Sequence, residues 1–351
     1  MKEFNLNNSI RKNVKAMKPY SSARDEYVSD GSKVIFLDAN ENPFENGVNR
    51  YPDPLQRNLK EVVAKQKEVH ISQILLGNGS DEVLDLLFRA FCQPQIDNIV
   101  TLPPTYGMYT VLANLNEIEE RKVLLTETFQ PNVKKVLQAV DTNSKMLFLC
   151  SPNNPTGNAF HLDKIIQLLE SFNGLVVVDE AYIDFSTQKS LIRLLPKYSN
   201  LIVTQTLSKA YGLAGIRLGI CFASTEIIQI LNKIKPPYNV NELTQQRALQ
   251  RVENEKEVQK EIASILKERS VLIEALSNIS FVKHIYPTDA NFVLAKVDDA
   301  TMRYNQLLDR GIVIRNRTTQ PLCENTLRFT VGTKEENLEL VKALKQLAIS
   351  L

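Results

Sequence analysis

Thr204-Gln205-Thr206-Leu207-Ser208-Lys209-Ala210-Tyr211-Gly212-Leu213-Ala214-Gly215-Ile216-Arg217 is bracketed by two apolar runs, Leu201-Ile202-Val203 and Leu218-Gly219-Ile220-Cys221-Phe222. That arrangement predicts a strand, a turn and a second strand, with the polar residues gathered at a strand end. Thr206, Ser208, Lys209 and Arg217 then share a short loop, and Gly212 and Gly215 let its backbone fold tightly. The combination describes a place for an anion beside an amine. By itself the loop is equally compatible with a solvated Lys209 and an Arg217 paired on the surface, so the reading turns on the strands around it.

Upstream, Met146-Leu147-Phe148-Leu149-Cys150 and Leu175-Val176-Val177-Val178 read as continuous buried strands, with an amphipathic helix from Leu162 to Phe172 between them. Strands of this kind separated by helices predict an α/β fold with a mainly parallel sheet covered on both faces, and function at the carboxyl ends of the strands. Two polar motifs follow those ends. Ser151-Pro152-Asn153-Asn154-Pro155-Thr156-Gly157 is at least in part a rigid turn made by its prolines. Asp179-Glu180-Ala181-Tyr182 is more telling, because a carboxylate straight after three valines enters a low-dielectric site where it needs a cation. A protonated pyridine nitrogen would serve. A lysine able to form a Schiff base, a cradle for a phosphate and this acid together match the needs of pyridoxal 5′-phosphate.

With 351 residues the chain can bury a large core and a smaller second one. A formal net charge of +2, without a like-charged block, gives no nucleic-acid footprint. Met1 to Lys18 lacks the apolar segment of a signal peptide, and no run approaches the ~20 apolar residues that span a bilayer, so a cytoplasmic protein without a membrane partner is expected. Cys92, Cys150, Cys221 and Cys323 are scattered, and the three histidines are dispersed, so neither a disulfide framework nor a metal is expected.

The first residues are polar and read as an irregular arm, 1–31, that includes Lys18-Pro19-Tyr20. Asp38-Ala39-Asn40-Glu41-Asn42-Pro43 is a turn, and helical spacing runs from Leu55 to Val69. Ile74-Leu75-Leu76 leads as a strand into Gly77-Asn78-Gly79-Ser80-Asp81-Glu82 and an apolar helix. Such a start offers free N–H groups to a phosphate, or is simply a capped helix. Ile99 to Leu102 is a further strand, and Pro103-Pro104-Thr105-Tyr106-Gly107-Met108-Tyr109 enters a helix in which Tyr106 either belongs to the core or stacks on a flat ring. Asn241 to Ser277 reads as one long helix or two. Strands at Phe281 to Ile285, Asn291 to Ala295, Ile312 to Ile314 and Thr326 to Val331, with helices at Thr301 to Arg310 and Glu335 to Ser350, make a small α+β domain. Arg315 and Arg328 stand at strand positions, where two arginines can clamp an anion. The expected division is an arm at 1–31, a large domain at 32–260 and a small domain at 261–351.

With these motifs assembled, the chain resembles the fold-type-I pyridoxal phosphate aminotransferases, most closely their histidinol-phosphate branch, from about Phe36 to the carboxyl terminus. Seven motifs in family order carry the resemblance: Ala39 to Pro43, Arg50-Tyr51-Pro52, Pro103 to Tyr109, Ser151 to Gly157, Asp179 to Tyr182, Thr206 to Arg217 and Leu327 to Thr333. It implies a large cofactor-binding domain, a small α+β domain and a homodimer. Lys209 would bind the cofactor aldehyde, Asp179 would face the ring nitrogen, Asn154 and Tyr182 the ring oxygen, and Tyr106 the ring face. Gly79, Ser80, Asp81, Thr206, Ser208 and Arg217 would surround the phosphate, with Tyr51 reaching that of the other subunit. Substrate would meet Tyr20, Asn40, Asn154, Arg315 and Arg328. The implied reaction moves an amino group between histidinol phosphate and 2-oxoglutarate, a step of histidine biosynthesis. Many relatives carry arginine where Gln205 stands, which touches fine tuning rather than chemistry. Other readings of the same motifs are an aromatic amino acid aminotransferase, a phospho-amino-acid decarboxylase, and a cofactor-binding regulatory module. The last would need a DNA-binding domain for which the residues before the first strand show no pattern.

Overall fold

The structure, a computed structural model, describes residues 4–19 and 35–349. Its main sheet has seven strands: β1 Ile74–Asn78, β2 Asn98–Thr101, β3 Glu119–Lys122, β4 Ser144–Cys150, β5 Leu175–Asp179, β6 Leu201–Thr206 and β7 Leu218–Phe222. They lie in the order β1-β7-β6-β5-β4-β2-β3. Neighbours from β6 to β3 are parallel, and β7 runs antiparallel to both β6 and β1. The hairpin read from the Thr204–Arg217 stretch is thus the join between β6 and β7.

Period-two alternation divides the strands between two cores. Leu75, Phe148, Val177 and Ile202 face the helix Gly79–Phe91 on one side, and Leu76, Leu149, Val178 and Val203 pack on the other. Both faces are therefore apolar, which is why these strands are runs of hydrophobic residues rather than alternating ones. β3 is different. Its Glu-Glu-Arg-Lys sequence has no apolar signal, and it occupies the sheet edge, where charge discourages pairing with another chain.

A second sheet has the order β10-β11-β9-β8, from β8 Val282–Ile285, β9 Phe292–Val297, β10 Arg315–Asn316 and β11 Thr326–Thr330. All its pairings are antiparallel. The strand expected at Ile312 to Ile314 lies later, at Arg315–Asn316: the segment before it is not paired, and Arg315 takes the position opposite Arg328. Asn241 to Ser277 forms two helices, Glu242–Glu253 and Glu255–Ser277, parted at Asn254. The second passes through position 260/261 without a break. Its Val258 and Ile262 pack in the core of the seven-stranded unit, and its Leu272 and Leu276 in that of the small sheet.

Part of the arm is more ordered than its composition suggests. Phe4, Leu6 and Ile10, in and beside a short helix at Leu6–Ser9, lie on the core of the helix Gly79–Phe91, the Arg11 N–H donates to the Ala90 carbonyl at 3.0 Å, and a second short helix, Lys12–Ala16, packs against the helix Thr225–Ile234. Tyr20 lies outside the described residues. All four cysteines are buried with free thiols. No helix among the described residues is long and apolar enough to cross a membrane.

One contact fixes how the helix Gly79–Phe91 meets the sheet. The Gly79 N–H donates to the Arg217 carbonyl at 2.8 Å, and a Cβ on Gly219 would lie 2.2 Å from the Ser80 nitrogen and 2.3 Å from the Gly79 carbonyl carbon. Backbone cannot yield as a flexible side chain can. Gly219→Ala should therefore cost roughly 1–3 kcal/mol of stability, read as a lower urea midpoint at unchanged slope, and a midpoint equal to the parent's would contradict this close approach.

Candidate active site

The carboxyl ends of β4, β5 and β6 deliver Cys150, Asp179 and Thr206 to one cavity, and the neighbouring loops and the start of the helix Gly79–Phe91 complete it. Register makes the convergence: Cys150 pairs with Asp179, Asp179 with Thr204, and Thr206 with Gly219. Of the residues predicted from sequence, Ser80, Asp81, Tyr106 and Asn154 line this cavity, as do Asp179, Tyr182, Thr206, Ser208, Lys209 and Arg217. Gly79 adjoins it through its bond to the Arg217 carbonyl.

On one wall, Thr206 Oγ1 accepts from the Ser208 N–H at 3.1 Å and lies 3.0 Å from the Ser208 hydroxyl. Arg217, in the left-handed region at φ 55°, brings its guanidinium to 3.5 Å from the Asp81 carboxylate. Asp81 in turn accepts from the Tyr106 hydroxyl at 3.0 Å. Two hydroxyls, a guanidinium and the first turn of a helix thus surround one corner, an arrangement suited to a phosphate.

Arg328, just outside the lining, reaches across from β11 and donates to Asn154 Oδ1 at 2.5 Å. Its guanidinium carbon is 5.0 Å from the centre of the Phe292 ring, which packs edge-on against Tyr182. Lys209 Nζ stands 5.7 Å from the Tyr182 ring centre. Asn154 is aimed by its neighbour: Asn153 is fully buried, and its amide donates to the Pro104 carbonyl at 2.9 Å and to Thr156 Oγ1 at 2.7 Å.

Other predicted residues lie elsewhere. Asn40 and Tyr51 line a separate outer hollow with Arg50 and Leu243, where Tyr51 stacks on Tyr238 at 4.5 Å. Arg315 is exposed on β10 beside Arg328 and does not line the cavity. Gln205 points to the opposite face of β6 from Thr204 and Thr206, where it donates to Glu180 at 2.9 Å. The sequence reading missed Tyr109, whose hydroxyl donates to Asp179 Oδ2 at 3.0 Å from a fully buried ring. Its signal was a tyrosine one helical turn after Tyr106 in an otherwise apolar segment. Gly219 was missed as well, because a glycine inside a strand announces close contact without saying with what.

Residues 32–344 match the family described as Aminotransferase class I and II. The chain belongs to that family. It is 64 % identical over 348 residues to a histidinol-phosphate aminotransferase of Flavobacterium johnsoniae, covering 99 % of this chain and 100 % of the relative. Identity to a Bacteroides fragilis protein of the same name is 52 % over 341 residues, 97 % and 99 % of the two chains. Among solved structures, the histidinol-phosphate aminotransferase of Clostridium acetobutylicum superposes with a TM-score of 0.80 at 25 % identity, over 87 % of this chain and 92 % of that one. A Sinorhizobium meliloti structure described as a complex with pyridoxal-5′-phosphate shares the fold, with a TM-score of 0.79 at 22 % identity over 86 % and 83 % of the two chains.

The electrostatics of this aminotransferase turn on Asp179 and Lys209. Asp179 is 3 % exposed, and burial pushes its pKa up to about 6, against the pull of the Tyr109 hydroxyl and the Ala181 N–H. Lys209 has the accessible surface of an exposed residue but stands in a concave wall. Loss of solvent, and then Arg328, lower its pKa, with Asp179 opposing. A carboxyl that holds its proton more tightly in the folded chain than in the unfolded one makes the fold less stable as pH rises from 3.8 to about 6. In cofactor-free protein Asp179→Asn should therefore be more stable than the parent above pH 6 by roughly 1–3 kcal/mol, and that advantage should vanish near the ordinary carboxylate range. Equal stability of the two at pH 8, measured by denaturation, would mean the carboxylate is not under this strain.

Proposed function

We propose that this chain transfers an amino group between L-histidinol phosphate and 2-oxoglutarate, giving imidazole-acetol phosphate and L-glutamate in histidine biosynthesis, with pyridoxal 5′-phosphate as cofactor. The observation that carries the reading is one cavity joining an amine, a buried carboxylate and an anion cradle, in a chain whose full-length relatives bear that enzyme's name. The residues present fit the cofactor. Asp179 is buried with no ion pair among the described residues, and Gly219 lets the start of the helix Gly79–Phe91 come close to the sheet beside the cradle. Pyridoxal phosphate, when bound, supplies an aldehyde and a ring that takes up the electrons left when a substrate Cα loses its proton.

The chain does the rest. Lys209 would hold the cofactor's aldehyde carbon, and its Nζ, once freed by a substrate amine, would accept the proton from the substrate Cα and give it back to that same aldehyde carbon. A lowered pKa suits a lysine to that work. Asp179, held by Tyr109, would keep a proton on the ring nitrogen. Asn154 and Tyr182 would hold the ring oxygen, and Tyr106 the ring face. Ser80, Thr206, Ser208 and Arg217 would hold the cofactor phosphate. Arg328 would receive the glutamate carboxylate in one half-reaction and, with Arg315, the substrate phosphate in the other; Tyr20 and Asn40 would meet the substrate as well, Asn40 from the outer hollow and not from the cavity itself.

The enzyme acts as a cytoplasmic homodimer in which Tyr51 reaches the cofactor phosphate of the other subunit. What supports this is the hollow around Tyr51 and the apolar surface near it: Leu37 is 87 % exposed, Phe44 78 % and Leu243 65 %. Sidechains of this size in one region suit an interface.

Glutamate added to the holoenzyme should bleach the cofactor colour, and imidazole-acetol phosphate should restore it far more efficiently than phenylpyruvate. The reverse order would overturn the substrate assignment. Lys209→Ala should retain some cofactor yet show no turnover, and normal rates in that variant would refute the role given to the lysine.

A further inference from the structure

Arg315 stands opposite Arg328 in the antiparallel register of β10 and β11. The ladder runs on, since the Arg317 N–H donates to the Thr326 carbonyl at 2.9 Å. Residues two apart on a strand share a face, so Arg315, Arg317 and Arg328 project from one side of the small sheet. It is the side of Phe292 and Leu294, which pack into the core of the seven-stranded unit; Val293, Leu327 and Phe329 turn the other way. Three guanidiniums thus share the sheet face from which Arg328 reaches the cavity.

Their hydrogen bonding is incomplete. Among the described residues none of the three has an ion pair, and the only side-chain hydrogen bond is that of Arg328 to Asn154. The Nε atoms of both Arg317 and Arg328 are buried with no acceptor. Burial lowers the pKa of each, Arg315 lowers that of Arg317 further, and Arg317 and Arg315 lower that of Arg328. Like charges with donors shut away from water are costly until an anion meets them. A carboxylate has two oxygens and is satisfied by one guanidinium fork, whereas a phosphate monoester brings a second charge and a third oxygen.

We propose that Arg317 is a specificity-determining residue of this site: it binds the substrate phosphate beside Arg315 and Arg328, and takes no part in holding a carboxylate substrate. This rests on the phosphate-bearing substrate proposed above and adds a residue that neither the motifs nor the cavity lining supplied. It gives the two half-reactions separate requirements in one pocket.

The test uses the holoenzyme and follows each half-reaction alone, through the cofactor colour. In Arg317→Gln the efficiency with histidinol phosphate should fall roughly tenfold to a hundredfold, the loss of one charge-assisted contact, while the glutamate half-reaction should stay within about twofold of the parent by the same reasoning. Arg317→Lys, which keeps the charge without the fork, should fall between the two. Inorganic phosphate should compete with histidinol phosphate in the parent and less well in Arg317→Gln. Unchanged use of histidinol phosphate in Arg317→Gln, or equal losses in both half-reactions in both variants, would overturn the proposal and leave Arg317 neutral or structural. A parent enzyme that reacts with glutamate but is indifferent to histidinol phosphate and to inorganic phosphate would sink the substrate reading itself, and the role of Arg317 with it.

Discussion

A carboxylate kept away from water at the end of a strand is the constraint around which this molecule is arranged. Asp179 follows three valines on β5 and faces the side of the sheet occupied by Tyr109 and the helix Gly79–Phe91. Water cannot stabilise its charge there, and one tyrosine hydroxyl with one backbone N–H compensates only in part. Its raised pKa expresses that deficit, which a ring cation is suited to remove. Its sequence neighbour Glu180 points to the other face and receives Ser190, the Leu191 N–H and Gln205. Adjacent acids, separated by the period of a strand, thus have different surroundings.

The opposing faces also explain the tuning at Gln205. Its amide donates to Glu180, a buried carboxylate whose pKa is raised by burial. An uncharged donor satisfies an oxygen there, on the face of the sheet turned away from Lys209 and Arg217. The site depends on a ladder of positions in which every second residue is chemically separate from the next.

Much of this was legible in the residue order. Continuous apolar runs marked β4, β5 and β6, and because their polar successors had to emerge at strand ends, the Ser151 to Gly157, Asp179 to Tyr182 and Lys209 motifs could be placed together from the residues, while the resemblance supplied Ser80, Asp81 and Tyr106. Four charged residues concealed β3, since an edge strand has no need of an apolar pattern. Pairing concealed the start of β10, because Ile312 to Ile314 is the more apolar segment but Arg315 is the residue aligned with Arg328. Tyr109 and Gly219 act through what they touch across the sheet, and touch is not written in spacing. The arm was misjudged for a similar reason: Phe4, Leu6 and Ile10 are too few to signal a helix alone and become ordered against a surface formed by other residues.

The unbroken helix Glu255–Ser277 bears on how the two walls of the cavity can move. At its 23 residues it is a rod roughly 35 Å long, embedded near one end beneath the seven-stranded sheet and near the other beneath the small one. A rod of that length tilted by about 3° carries its far end about 2 Å, enough to make or break the bond from Arg328 to Asn154. Angular leverage of this kind lets a barely perceptible swing separate a gripping pocket from a releasing one, with no residue in either core having to exchange its neighbours.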